Sequence, residues 1–583
     1  MLKNIFNKIK SILKKVCVFL GAIVLITILC AVFSFYRNGQ KFEISDNSYL
    51  EIDLSEDFSE NAQSSVIDDI MGYEKPNFMQ LLRSIEFASA DNKINGIVLK
   101  TDVLNLDLAQ TQNLASTLQN FKKSGKKIYV YSRGFGNLGQ GNREYYLASF
   151  ADEIYMQPHS WIGFTGISIE VPFIKKALSK LGIEPEFYSR YEYKTAMAFV
   201  TDDAMSQYYK QELSQLANGI MDELKEKITE NRKVKDIDDI LNNAPVSAEE
   251  GLKNGLIDGV MYKEEFDNFL KNKFFDEKIE AVDYALNFMS NQGKLPTIAL
   301  LTLDGVINSG KEEDDISGEP AIFSETVAEQ IKEISKLENL RAVVLRINSP
   351  GGEYAAADEI YFALQNLKKI RKVPIIVSQG GYAASGGYFI SLAGDVIMAE
   401  PLTITGSIGV FGGKFVIADL WKKLDIDIAS IKVGNNADML SFNRKFNAKE
   451  REIFEKSLDD VYHDFTSKVE QNRKLKKNID EVARGRIWLG KQALELGLVD
   501  KIGGYGEAII EARILGNIKP GEKFKLAEFP KAKDFSEKIN DLFKANRKIE
   551  TQKILYQNVD IPYLRLFKRM QYDTVLLPFE IKM

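Results

Sequence analysis

One pattern of residues is written twice along this chain of 583 residues, and that repetition limits the fold more than any other feature. Gly96-Ile97-Val98-Leu99-Lys100 in the first copy corresponds to Ala342-Val343-Val344-Leu345-Arg346 in the second. Each is a short, β-branched, apolar run, which predicts a buried strand. An amphipathic helix is expected after each, Leu108 to Lys123 and Tyr354 to Leu367, and then a second strand, Lys127 to Tyr131 and Val373 to Val377. The correspondence continues through Tyr145–Pro158 and Tyr388–Pro401, Thr165-Gly166 and Thr405-Gly406, and Leu181-Gly182-Ile183 and Leu424-Asp425-Ile426. It closes with Gly255–Asp258 and Gly497–Asp500. Strands alternating with helices imply α/β units with parallel strands. The copies occupy about 46–290 and 295–525, leaving 526–583 as a C-terminal extension. Within it and just before, Lys-rich 518–553 reads as a linker or surface helix.

Rare residues restrict the chemistry. Both cysteines, Cys17 and Cys30, lie in an uncharged stretch, 16–36, so the rest of the chain has no thiol for catalysis, disulfides or zinc. Only two histidines occur, His159 and His463, which excludes a histidine-rich metal site. No metal or cofactor is expected. A net charge of −6 offers no broad basic face for nucleic acid. The basic residues that cluster do so in segment 1–15, where Lys3, Lys8, Lys10, Lys14 and Lys15 precede the uncharged stretch. As a helix, 16–36 would span about 30 Å, the thickness of a bilayer's hydrocarbon core. The lysines predict that the N-terminus stays in the cytoplasm and that everything after Arg37 lies across the membrane. A cleaved signal peptide is the alternative, with an apolar core of roughly 7–15 residues. Ile28-Leu29 before Cys30 does not fit a lipoprotein signal.

Where the two copies differ, chemistry is to be sought. The second copy places Asn348-Ser349-Pro350-Gly351-Gly352 after its first strand, where the first has Asp102–Leu106. Paired glycines between strand and helix let backbone N–H groups approach a developing anion, and a tight turn would use the same residues. After its second strand the second copy reads Gly380-Gly381-Tyr382-Ala383-Ala384-Ser385-Gly386-Gly387-Tyr388, and the first has Asn142 in the place of Ser385. Small neighbours leave Ser385 open to a carbonyl and allow the Gly386 N–H to face its oxygen; close helix packing would also suit them. The first copy alone has Tyr191-Glu192-Tyr193-Lys194-Thr195-Ala196, against Gly434–Asp438 in the second. Loss of opposite partners from opposite copies points to one site shared between them. Ser385 is then the candidate nucleophile and Lys194 the candidate base. Ser407 is a candidate for orienting the lysine, or a turn serine.

These motifs resemble the signal peptide peptidase A (protease IV) family in its long duplicated form, over most of the chain. The resemblance implies tandem Clp/crotonase-like α/β domains behind an N-terminal transmembrane helix, with the nucleophile on Ser385, the general base on Lys194, and Gly352 and Gly386 as the oxyanion hole. It further implies hydrophobic peptide substrates such as remnant signal peptides, a lipid bilayer as a partner, a bacterial inner-membrane location with an extracytoplasmic catalytic part, and a homo-oligomer, a tetramer in the family. Thr195 stands where the family often has serine. Against this stand a histidine base, for which His463 or His159 would serve, a crotonase-type acyl-CoA enzyme, and a non-catalytic membrane scaffold.

Overall fold

The computed structural model describes Gly21 and residues 44–60, 77–274, 278–281, 284, 295–312 and 321–531. The expected anchor, 16–36, lies outside the described residues apart from Gly21, as do segment 1–15 and residues 532–583. No helix among the described residues is long and apolar enough to cross a membrane.

Two sheets are built on one plan. The first has the spatial order Gly259–Val260, Glu153–Met156, Lys127–Ser132, Ile94–Lys100, Ser48–Asp53 and Lys278–Glu280, all neighbours parallel. In the second, Val396–Ala399, Ile375–Ala384, Leu340–Ser349, Thr297–Asp304 and Lys525–Phe529 follow the same parallel order. Its strand Ile375–Ala384 is long enough to pair also with Ile404–Gly406, which the antiparallel strand Ile487–Leu489 flanks in turn. Parallel strands covered on both faces read as continuous apolar runs, which is why Ile94–Lys100 and Leu340–Ser349 stood out in the sequence.

The repeat extends to single hydrogen bonds. Tyr145 donates its hydroxyl to Leu256 O and Tyr388 donates to Leu498 O, each at 2.9 Å. Asp152 accepts from Ile128 N–H at 2.9 Å as Asp395 accepts from Ile375 N–H at 2.8 Å. Arg232 pairs with Asp258 as Arg473 pairs with Asp500. The long helices Gln207–Arg232 and Ala448–Asn472 start from caps at Ser206 and Asn447.

The plan also corrects the expected end of the second copy. Lys525–Phe529 is a strand, not linker or surface helix, and lies beside Thr297–Asp304 as Lys278–Glu280 lies beside Ser48–Asp53. The helix expected over 108–123 forms at Leu108–Lys122 but has little solvent face: Gln110, Thr111, Gln112, Asn113 and Thr117 are all buried. Gln112 Oε1 accepts the Leu402 N–H at 2.8 Å, so a polar face meant by its pattern for water is spent on the other half. One apolar core accordingly unites both sheets, with Leu50, Ile97 and Leu114 in the same cluster as Ile298, Val344 and Ile376. Inside it, Arg346 and Glu60, both essentially unexposed, pair at 2.7 Å across the halves.

Candidate active site

Ser385 stands at the junction of strand Ile375–Ala384 and helix Gly386–Ser391, with φ 57° and ψ −112°. A non-glycine residue rarely adopts this backbone, and it persists only where neighbours hold it. Here Ser385 N–H donates to Gly406 O and its carbonyl accepts from Phe389 N–H, both at 2.8 Å. Such a turn presents a serine hydroxyl at the end of a sheet.

Lys194 reaches that hydroxyl from the other half. The strand Glu184–Arg190 pairs antiparallel with Val410–Val416, which begins directly after Ser407-Ile408-Gly409, so one ribbon spans both halves and ends at the site. Lys194 Nζ lies 2.8 Å from Ser385 Oγ, 2.9 Å from Ser407 Oγ and 3.2 Å from Ser407 O. Lys194, Ser385 and Ser407 are all buried. Burial depresses the Lys194 ammonium to about 7, while Glu212 pulls in the opposite direction.

Gly352 and Gly386 lie side by side. A methyl built on Gly386 would sit 3.4 Å from Gly352 N. Gly352 takes φ 156°, and a methyl there would fall 2.0 Å from Ile307 O, so only glycine fits. The loop is tied down by Ile307 N–H to Gly351 O and Glu353 N–H to Ile307 O, both 2.9 Å, which leaves Gly352 N–H out of the pairing. Among the described residues neither the Gly352 nor the Gly386 amide donates a hydrogen bond.

The corresponding places in the opposite copies are closed or empty of such groups. Asn142, the counterpart of Ser385, donates to Gly166 O at 2.8 Å and accepts Gly166 N–H at 3.2 Å. In the stretch 434–438, Asp438 is held at the surface by Lys432 and Arg444. His463 is exposed on helix Ala448–Asn472 and His159 is exposed in a turn; the hydroxyl of Ser385 meets Lys194 instead. No group of three or more metal-ligating side chains occurs among the described residues.

Several participants escaped the sequence reading. Arg484-Gly485-Arg486 clamps the lysine segment: Arg484 pairs with Glu192 at 2.8 Å, and Arg486 lies over the Tyr193 ring at 3.8 Å. Gly485, at φ 91°, passes so close that a methyl would fall 2.4 Å from Lys194 N. Asn348 Oδ1 accepts Tyr382 N–H at 3.1 Å, tying the glycine loop to the serine strand. The buried carboxyl of Glu212 accepts Ile487 N–H at 2.8 Å, and burial raises it to about 8. Arg484–Arg486 is an Arg-Gly-Arg run and Asn348 opens the glycine motif, whereas Glu212 has no sequence signal. A cleft of about 220 Å³ opens beside the site, lined in part by Phe187, Tyr191, Lys194, Met197, Tyr208 and Phe411.

The comparisons with known proteins fall on the same two copies. The model of peptidase family S49 matches residues 120–273 and again 367–519, and the Clp protease model matches 316–402. "Serine protease SPPA, chloroplastic" of Arabidopsis thaliana is 30% identical over 462 residues, 77% of this chain and 67% of that protein. "Protease 4" of Haemophilus influenzae is 29% identical over 534 residues, 86% of this chain and 84% of that protein. Among solved structures, a mutant of ClpP1 from Listeria monocytogenes aligns with 36% of this chain and 94% of its own, at 18% identity and a TM-score of 0.24. Two family units within one chain, a Clp protease-like α/β architecture and relatives of this similarity lead to one assignment: the chain belongs to peptidase family S49, the serine proteases of the SppA and protease 4 group.

Proposed function

We propose that the chain hydrolyses hydrophobic peptides through an acyl-enzyme formed on Ser385, with Lys194 as the general base. The observation that carries this reading is the 2.8 Å approach of a buried amine and a buried hydroxyl from opposite halves. A free lysine titrates near 10.4 and is no base at neutral pH, whereas burial brings Lys194 to about 7. Neutral Lys194 takes the hydroxyl proton as Ser385 Oγ attacks the scissile carbonyl. The amides of Gly352 and Gly386 receive the oxyanion, a contribution of about 3–4 kcal/mol for each donor. Lys194 then protonates the leaving amine, and water releases the acid. Because the neutral amine is the working form, activity rises with pH through about 7.

Hydrophobic peptides, remnant signal peptides among them, are the substrates in this reading; Phe187, Met197 and Phe411 line part of the cleft, beside the polar Ser189, Glu192, Thr201 and Asp202. Anchoring by 16–36, with the catalytic part across a bacterial inner membrane, rests on the five lysines and the uncharged stretch after them. Assembly into a homo-oligomer is part of the same reading. It is supported by the exposed apolar side chains Ile428, Ile431 and Val433.

Fluorophosphonate labelling with peptide mapping tests the chemistry. Wild type is labelled on Ser385, and Ser385→Ala and Lys194→Ala each lower peptide turnover by a factor on the order of ten thousand while keeping the native melting curve. Full turnover by Lys194→Ala would sink the lysine base.

A further inference from the structure

The repeat that pairs the two halves leaves one segment of each half without a partner. Two correspondences between the halves share one spacing. In sequence, Leu181-Gly182-Ile183 matches Leu424-Asp425-Ile426. In structure, Ile174 N–H donates to Phe199 O as Ile417 N–H donates to Phe442 O, both at 2.8 Å. At that spacing residues 167–173 match strand Val410–Val416, and residues 427–433 match strand Glu184–Arg190. Those two strands form the ribbon between the halves. Their counterparts belong to no strand, and neither takes part in a backbone hydrogen bond among the described residues.

The side chains of the two segments are complementary. Ile431 is 100% exposed and Val433 92%, on alternate positions of one segment. In the internal ribbon Val410 faces Arg190 and Gly412 faces Tyr188, which by the repeat sets Ile167 opposite Val433 and Ile169 opposite Ile431. Residues opposite one another share a face of a strand pair. In 167–173 that face is the apolar one: Ile169, Val171 and Phe173 pack against Ala198, Tyr209 and Leu213, while Ser168, Glu170 and Pro172 are exposed. A slip of one residue would send Ile431 and Val433 to the solvent side, so the alternation checks the register independently of the spacing. The helix underneath repeats as well. Counted from the caps Ser206 and Asn447, Leu213 corresponds to Phe454, and Tyr188, whose place Ile431 takes, packs on Phe454 with ring centroids 6.3 Å apart. Pro172 falls opposite Ile428, at the rung where the internal ribbon already holds Pro185 opposite Phe415.

We propose that residues 427–433 of one copy of the chain add as an antiparallel strand to residues 167–173 of a second copy, in the register that sets Ser168 opposite Lys432 and Ile169 opposite Ile431. This deepens the homo-oligomer of the reading above and rests on it, and it is independent of the Ser385–Lys194 dyad. Each chain has one strand to give and one edge to receive, so the contact is head-to-tail and repeats between copies the ribbon that joins the halves within a chain. Main-chain hydrogen bonds supply the pairing, and Ile431 and Val433 leave water beside Ile169 and Ile167. An open edge that would otherwise invite indiscriminate pairing is thereby given one specific occupant.

The test uses the full chain in detergent micelles, with Cys17 and Cys30 replaced by alanine so that only introduced thiols react. Ser168→Cys combined with Lys432→Cys should give, on oxidation, a ladder of covalent multimers on a denaturing gel, which a disulfide within one chain cannot produce. Ser168→Cys combined with Ile428→Cys uses the same face but stands four residues, about 13 Å, out of register, and should give none. Ile431→Asp changes a side chain that is fully exposed in the single chain, so melting of the separated chain stays that of wild type. In the assembly it would bury a charge, and light scattering should show association weakened at least about tenfold. An assembled protein that forms no ladder from the 168 and 432 thiols, or forms it equally from 168 and 428, overturns the strand addition and leaves the oligomer standing. Undiminished association of Ile431→Asp does the same. A wild-type chain that stays monomeric at every concentration refutes the oligomer and this inference with it.

Discussion

A neutral lysine amine has two N–H groups and one lone pair, and only the lone pair can accept a proton. Ser407 offers two oxygens to Lys194 Nζ, its hydroxyl at 2.9 Å and its carbonyl at 3.2 Å, which can take both N–H groups and leave the lone pair facing Ser385. Ser407→Ala removes one of them inside a buried site, at a cost of about 1–3 kcal/mol. Turnover should therefore drop by roughly ten- to a hundredfold with KM little changed, as steady-state kinetics will report. A variant with wild-type kcat would show that the carbonyl alone orients the amine. Ser385 and Lys194 could be picked out of the sequence because each has a different residue at its repeated position, Asn142 in one case and 434–438 in the other. Glu212 could not. A glutamate among polar residues of a long helix reads as one that faces water, and only the docking of the second half buries it.

At the scale of elements, the lysine is delivered by a ribbon and a clamp rather than by a single loop. Glu184–Arg190 is half exposed along most of its length and carries no strong alternation, so its pairing with Val410–Val416 was hidden from a reading of either segment alone. The clamp, Arg484 to Arg486, works by contact with the lysine's own backbone, a relation of residues nearly three hundred positions apart that no local pattern encodes. Gly485→Ala tests it. The added methyl meets Lys194 N and forces the arm outward, and a displacement of about 1 Å at a reacting group can cost a hundredfold. Hydrolysis should fall by at least that factor and the melting temperature should drop as well, because alanine at φ 91° against the Lys194 main chain is strained, while the circular dichroism of the folded variant stays that of wild type. Retained hydrolysis would mean that the arm has room the structure does not display.

For the whole molecule, the repeat told that there are two sheets but not how they meet. They meet through polar groups as well as apolar ones, and Glu400 is an example: it is 2% exposed, and a methyl on Gly504 would lie between it and Asn113 of the first half. Burial lifts its carboxyl to about 8, above the ordinary carboxylate range, so the folded chain holds a proton that the unfolded chain has released. Its contribution to stability is thus intact at low pH and is lost as pH rises from the carboxylate range through about 8. Glu400→Gln imitates the protonated form and should gain on wild type in melting temperature between about pH 5 and about pH 9. An equal difference at both ends of that range would refute the assignment. The mutual burial of the halves has one more effect, set by the order in which they are made. The amine emerges from the ribosome first, without a hydroxyl to activate, and the last strand of the partner sheet, Lys525–Phe529, emerges some three hundred residues later. On the proposed dyad, a chain made only as far as the first half therefore carries the base without its nucleophile, and hydrolysis waits for the second half to fold against it.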